Sequence, residues 1–264
     1  MQWEQLSTSF HYFDYDAAAY PFESLIQKMM TTNEPLDRLH ESVTRLQEQL
    51  KAQDIKFDDP SQKNTFSTDQ SSCFHRLFYN SGHLFEEFTR LYHKFVRECV
   101  LPIFDSSETH FAIQNTPTIR FQTPKISALG DNFDIVPKQT YIDKKVPEGC
   151  FGLHNDSLYK HPSGEINFIV SLTEMHDTLF VETGINTNEY LPVKSFPGRF
   201  FQFYGNKMFH FNKINQSDQT RVSIDFRVIP MSKYQESESG KSMTSARSFK
   251  IGKDGYYTLM ERTS

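Results

Sequence analysis

Three side chains in this sequence have the types and spacing of a metal site. His154-Asn155-Asp156 puts an imidazole and a carboxylate two positions apart. In extended backbone, residues i and i+2 share a face, so the two groups converge on one point. Nitrogen and oxygen donors in that mixture suit a divalent ion of intermediate softness such as Fe(II). The dipeptide spacing alone is a weak signal, because solvated strand-end pairs carry the same letters. His210 adds a third donor. Residues 157–209 separate it from Asp156, and the turn residues Pro197-Gly198 and Gly205-Asn206 fall between. A second hairpin strand after Gly205-Asn206 returns His210 toward the first pair. Two imidazoles and one carboxylate on one face leave three coordination positions open. The plain alternative for His210 is an ordinary strand histidine.

A second set follows eleven residues on. In Thr220-Arg-Val-Ser-Ile-Asp-Phe-Arg-Val228 the pattern alternates. Arg221, Ser223, Asp225 and Arg227 share one face, and Val222, Ile224, Phe226 and Val228 share the other. The apolar face packs beneath a cover. The polar face then points inward, where three charges are costly unless they meet a ligand or each other. Arg221 offers a two-pronged fork for a carboxylate, and Ser223 adds a hydroxyl donor to the same group. An exposed edge strand with paired charges is the other reading of the same letters.

These residues need elements to hold them. Residues 10–20 read as an opening strand and 22–31 as a short helix. From Pro35, a residue suited to a first helical turn, Leu36, Leu39, Val43, Leu46 and Leu50 form one apolar helical stripe. Residues 54–72 read as a polar surface loop. A second helix is predicted after Ser81 as N-cap, with Leu84, Phe88, Leu91, Phe95 and Cys99 on one face and Pro102 at its end. After residue 110, short β-rich runs take over: 118–122, 150–154, 166–172, 178–182, 199–204 and 220–228. Turn residues separate them, as in an all-β sandwich or barrel. Residues 231–248 read as a flexible loop and 249–259 as a final strand or hairpin. The expected organisation is a single domain over 1–264, with a strand and helical cover in 1–109, a β core in 110–230 and a C-terminal extension in 231–264.

Composition narrows the function classes. With 28 Lys and Arg against 33 Asp and Glu, a net charge of −5 and no basic cluster, a general nucleic-acid binder is not expected. No run approaches the roughly 18 apolar residues of a membrane helix, so no membrane partner is expected. The first residues lack a basic and apolar leader. Cys73, Cys99 and Cys150 are scattered and odd in number, which argues against a disulfide framework and for a reducing, cytoplasmic location. With 25 Phe and 12 Tyr, the core is built from few, large side chains.

The order His-x-Asp, about fifty residues, His, ten residues, Arg-x-Ser resembles the Fe(II)/2-oxoglutarate-dependent oxygenases of the double-stranded β-helix (jelly-roll, cupin-like) fold. The run His154–Phe168, with Asn212–Ser217 and Thr220–Ser223, is more narrowly similar to the StrG-like proteins of streptomycin biosynthesis. The resemblance covers about residues 110–230. It implies a mainly β fold with N-terminal helices on the larger sheet. It also implies Fe(II) on His154, Asp156 and His210, 2-oxoglutarate anchored by Arg221 with help from Ser223, and dioxygen as co-reactant. The implied activity is hydroxylation, desaturation or cyclisation of a small molecule in secondary or amino-acid metabolism. Because Asp156 is present, the halogenating branch is not expected. Among softer candidates, Asn167 is a candidate contact for the C1 carboxylate or keto end of 2-oxoglutarate. Tyr159, with His161 and Glu165, lies in a loop expected to form part of a substrate lid. Arg120, Gln122, Asp225 and Arg227 are candidates for recognising a charged substrate. Two alternatives remain open at this level: a cupin-like binding protein with a non-catalytic metal site, and an Fe(II) oxygenase that does not use 2-oxoglutarate.

Overall fold

Two β-sheets, one of them covered by helices, place the candidate residues between their facing sides. The computed structural model describes residues 1–52, 72–124, 150–213, 215–236, 240–242 and 245–263. The expected polar loop over 54–72 therefore lies almost wholly outside the described residues. The cover begins with α1 (Trp3–Leu6), the edge strand β1 (His11–Asp14) and α2 (Phe22–Met29). Leu36–Ser42 then forms a 3-10 segment that runs into α3 (Val43–Ala52). α4 (Cys73–Tyr79) and α5 (His83–Phe95) follow, and α5 continues through a π-helical turn, Val96–Val100.

Both apolar stripes are used, with two corrections. Leu36, Leu39, Val43, Leu46 and Leu50 are all buried, but the first half of the expected α-helix is 3-10. Backbone groups an α-helix would spend on itself go instead to Thr220. The Thr220 N–H donates to the Asp37 carbonyl (2.6 Å), and the His40 N–H donates to the Thr220 hydroxyl (3.2 Å). This also pins the residue before Arg221. On α5, which starts after Gly82 rather than Ser81, the buried positions are Phe88, Tyr92 and Phe95. Leu84, Leu91 and Cys99 are only partly buried. Tyr92 takes the centre because its hydroxyl finds the Gln114 carbonyl at 2.8 Å, which satisfies the one polar atom that burial would otherwise strand. α4 has no counterpart in the sequence-based reading.

The strands are β2 (His110–Gln114), β3 (Thr118–Gln122), β4 (Cys150–His154), β5 (Ile166–Ser171), β6 (Leu179–Glu182), β7 (Tyr190–Pro192), β8 (Arg199–Phe203), β9 (His210–Lys213), β10 (Arg221–Pro230), β11 (Ser248–Ile251) and β12 (Gly255–Glu261). Among the described residues the larger sheet runs β1-β8-β5-β10-β2-β12-β11, with β3 paired to the first half of β10. The smaller sheet runs β4-β9-β6-β7. Successive strands pass between the sheets, β4 to β5 and β8 to β9, which is the winding of a double-stranded β-helix. The mainly β fold with helices on the larger sheet is as expected from the sequence.

β10 is the central strand of the larger sheet. Its apolar residues Val222, Ile224, Phe226 and Val228 are at most 1% exposed. Phe226 meets the rings of Tyr92 and Phe95 edge-on at 5.1 and 6.5 Å. The opposite, polar face looks toward the smaller sheet. At the C-terminal end, β12 pairs with β2, so the segment beyond residue 231 is built into the larger sheet. Within 231–248, Met231–Lys233 forms a 3-10 turn and Lys241 bridges to Ser248. The other described residues from 234 to 247 form no helix or strand, as expected of a loop, while 237–239 and 243–244 lie outside the described ones.

Candidate metal centre

His154 and His210 face each other across β4 and β9, in direct register. The expected hairpin return is replaced by a change of sheet. After β8 the chain leaves the larger sheet, turns through Gly205-Asn206 and enters β9 of the smaller one. The two imidazole centroids are 4.3 Å apart. Asp156 lies just past the end of β4, at the start of a 3-10 turn, Asp156–Tyr159. Asn155 between them is still extended (φ −117°, ψ 158°), so the two-residue alternation survives and Asp156 turns to the same side as His154. Asp156 Oδ1 is 3.6 Å from His210 Nε2 and 3.9 Å from His154 Nε2.

The surroundings of each donor fit a metal. Each histidine gives its Nδ1 to a backbone carbonyl, His154 to Gly152 and His210 to Met208 (3.1 Å). An Nδ1–H donated to a carbonyl fixes the tautomer and leaves the Nε2 lone pair for a ligand. Gly152 has φ +63°, in the left-handed region, and sits where the β4–β9 register shifts. That bulge aims its carbonyl back at His154. Burial lowers the pKa of both imidazoles, and for His154 the proximity of His210 lowers it further. Both are therefore neutral near pH 7. Burial alone would raise the pKa of the Asp156 carboxyl, but the Arg227 guanidinium beside it, with His161 and the two facing imidazoles, holds it well below the usual range. Two neutral imidazoles and a carboxylate are the donor set for Fe(II), and the three ligand atoms lie within 4.8 Å of one another.

The inward face of β10 holds the next group. Arg221 is 5% exposed and Ser223 fully buried. Arg221 Nη2 donates to Ser223 Oγ at 3.2 Å. Its Nη1 faces three neutral oxygens: Asn212 Oδ1 (3.1 Å), Gln122 Oε1 (3.3 Å) and Thr178 Oγ1 (3.4 Å). Gln122 in turn donates to the Lys213 carbonyl. Among the described residues, the partners that hold the fork come from β3, β9, β10 and the approach to β6.

Three expectations about the remaining polar residues change. Asn167, expected to touch a cosubstrate, has its amide engaged within the protein. Its Nδ2 donates to Asp156 Oδ2 at 2.7 Å, and its Oδ1 accepts from the Gly205 N–H at 3.1 Å. Asp225 and Arg227, expected to read a substrate, bind each other at 3.2 Å, and Arg227 also donates to Asp156 Oδ2. Once the polar face of β10 is sealed inside, its charges pair with the nearest opposite charge, and Asp156 lies opposite Arg227. Arg120 reaches Asp225 at 2.9 Å. Tyr159 sets its ring edge-on to His154 at 5.1 Å. His161 and Glu165, expected in a lid, lie inside. They are ion-paired at 2.8 Å, and Glu165 accepts from the Tyr257 hydroxyl.

Sequence reasoning missed Gly205, Asn212, Tyr256 and Tyr257. Gly205 left a signal as part of a turn dipeptide, and Asn212 as the first residue of the run Asn212–Ser217. The reason for Gly205 is steric: a Cβ there would lie 2.6 Å from Asn167 Nδ2.

Fold and site together define a double-stranded β-helix with a two-histidine, one-carboxylate constellation at its centre. No family model matches the chain. It is 27% identical over 191 residues to the streptomycin biosynthesis protein StrG of Streptomyces griseus, which spans 71% of this chain and 77% of that protein. Among solved structures it is similar to EctD from S. alaskensis, determined with 2-oxoglutarate and 5-hydroxyectoine. There the identity is 13%, covering 94% of this chain and 84% of that one, with a TM-score of 0.45. It is also similar to the apo form of ThoJ, a non-heme monooxygenase, at 11% identity over 98% of this chain and 87% of that one, with a TM-score of 0.44. No helix among the described residues is long and apolar enough to cross a membrane.

Proposed function

We propose that this protein is a non-heme Fe(II)- and 2-oxoglutarate-dependent oxygenase that oxidises a small molecule, most simply by hydroxylation. The observation that carries the reading is the convergence of His154, Asp156 and His210, with Arg221 and Ser223 on the inward face of the neighbouring sheet. His154 Nε2, His210 Nε2 and Asp156 Oδ1 would hold the iron. With 2-oxoglutarate and dioxygen, bound iron supplies the oxidising chemistry that the side chains lack. The protein contributes the rest. The backbone carbonyls of Gly152 and Met208 keep both imidazoles in the ligating tautomer. Arg221, held flat by Asn212, Gln122, Thr178 and Ser223, presents a fork to the distal carboxylate of the ketoacid.

Within this reading, Tyr159 on the loop beside His154 and the partly exposed Arg120 are the side chains proposed to meet the substrate. Anaerobic addition of Fe(II) and then 2-oxoglutarate to the apoprotein tests the assignment. The iron-to-ketoacid charge-transfer band should appear, and admission of oxygen should release succinate. If no band forms and no succinate is released, the function is a different one. If iron binds but 2-oxoglutarate adds nothing, the oxoglutarate-independent alternative is correct.

A further inference from the structure

The carboxylate of Asp156 is held unequally, and the inequality has a chemical consequence. Its Oδ1 faces the two imidazoles. Its Oδ2 faces away and accepts from Asn167 Nδ2 (2.7 Å), Arg227 Nη2 (3.1 Å) and Arg227 Nε (3.2 Å). Asn167 and Arg227 are directly opposite each other on β5 and β10, so both donors come from one rung of the larger sheet.

Building on the reading above, we propose that Arg227 and Asn167 are positioning residues. They form a two-sided clamp that occupies Oδ2 and lets Asp156 offer a metal only Oδ1. A carboxylate with both oxygens free can take a divalent ion with either one or two of them. A second oxygen would use a coordination position that a ketoacid, bound through two atoms of its own, and dioxygen require. The clamp keeps that position open.

Both halves are themselves braced. The Asn167 amide is oriented by the Gly205 N–H on its Oδ1, which turns Nδ2 toward Asp156. Gly205 also accepts the Asp156 N–H at 2.7 Å, so one glycine fixes both the ligand's backbone and its clamp. Arg227 is gripped from behind by Asp225 Oδ1 (3.2 Å), Tyr256 Oη (3.3 Å) and Glu165 Oε2 (3.5 Å). Glu165 is fastened to Tyr257, so the bracing extends to β12. A charge 1% exposed needs partners wherever it lies. What marks this set as a clamp is that all three donors converge on the oxygen turned away from the imidazoles.

The test uses the full-length apoprotein and Co(II) alone, followed by the visible d–d absorption. Arg227→Lys keeps the buried charge but loses the two-nitrogen grip, and Asn167→Ala removes the other donor. Each variant should bind Co(II) with shifted d–d bands and an affinity changed by about 10–100-fold, while the far-ultraviolet circular dichroism stays that of the wild type. His210→Ala should bind no Co(II) stoichiometrically. Wild-type affinity and bands in both clamp variants, with His210→Ala inactive in binding, would overturn the clamp and leave the metal site standing. Wild-type Co(II) binding by His210→Ala would overturn the metal site and the clamp together.

Discussion

Arg221 shows how much of a residue's task lies in its neighbours. Its guanidinium is spread over Asn212, Gln122, Thr178 and Ser223 at 3.1–3.4 Å. A charge-assisted pair with a carboxylate is shorter and stronger than any of these bonds to neutral oxygens. Arg221→Ala should weaken 2-oxoglutarate binding by about 2–5 kcal/mol, part of it from the carboxylate left unpaired. Arg221→Lys should recover only a part, because an ammonium lacks the planar fork. A 2-oxoglutarate titration under nitrogen on the Fe(II)-loaded variants checks both, and an Arg221→Ala curve matching the wild type would place the ketoacid elsewhere. Cys73 makes a second residue-scale case. It is fully buried, and burial pushes its thiol from 9.0 up to about 12. The thiolate is the reactive form, so Cys73 should resist alkylation near neutral pH until the protein unfolds, as mass spectrometry of iodoacetamide-treated protein would show. At this scale the sequence disclosed which side chains would share a face. His154 and Asp156 are two apart, and Arg221 and Ser223 repeat that spacing on one strand face. It did not disclose which inward polar residues would meet each other. Alternation gives the face of Asn167 and Arg227, whereas their partnership with Asp156 depends on how a loop from the other sheet lands.

The helices and strands were legible where one period dominates. Leu36 to Leu50 and the alternation over 221–228 are such cases, and the strands at 118–122 and 150–154 match residue for residue. Two kinds of element were not. The 3-10 form of Leu36–Ser42 follows from hydrogen bonds to Thr220, some 180 residues away in sequence. The passage from β8 to β9 changes sheets because its turn must deliver Gly205 to Asn167, and a turn dipeptide does not specify which strand comes next. Tyr92 shows why the helical stripe was centred one residue off: an aromatic hydroxyl counts as polar until a carbonyl is found for it. This sets the energetic prediction for α5. Phe95 is fully buried against Phe22, Phe200 and Phe226. Phe95→Ala should cost about 3–5 kcal/mol. Leu91→Ala, at a partly buried position, should cost distinctly less, and urea denaturation of both variants gives the comparison. Equal losses would mean that the helix packs through a different face.

For the molecule as a whole, the buried thiol makes stability depend on alkaline pH. The folded protein keeps Cys73 protonated to about pH 12, whereas the unfolded chain ionises it near 9.0. The contribution is therefore complete below about pH 9 and is lost as pH rises toward 12, because the unfolded state alone releases the proton. The unfolding free energy of the wild type should fall more steeply with pH above 9 than that of Cys73→Ala, and parallel slopes would exclude the effect. The N-terminal turn has a different use. The chain has one tryptophan, and Trp3 lies against the connection that carries Asp156 and Glu165. Its indole N–H donates to the Gly164 carbonyl at 3.0 Å, Tyr204 meets its ring edge-on at 5.6 Å, and the Lys233 ammonium sits 5.0 Å from its centroid. Every photon of indole emission therefore originates beside the loop that follows Asp156 and against Tyr204, the residue before Gly205. The protein carries a single-site optical reporter. Its wavelength and anisotropy should follow the docking of residues 1–6 onto that loop, and a Trp3→Phe variant supplies the dark background.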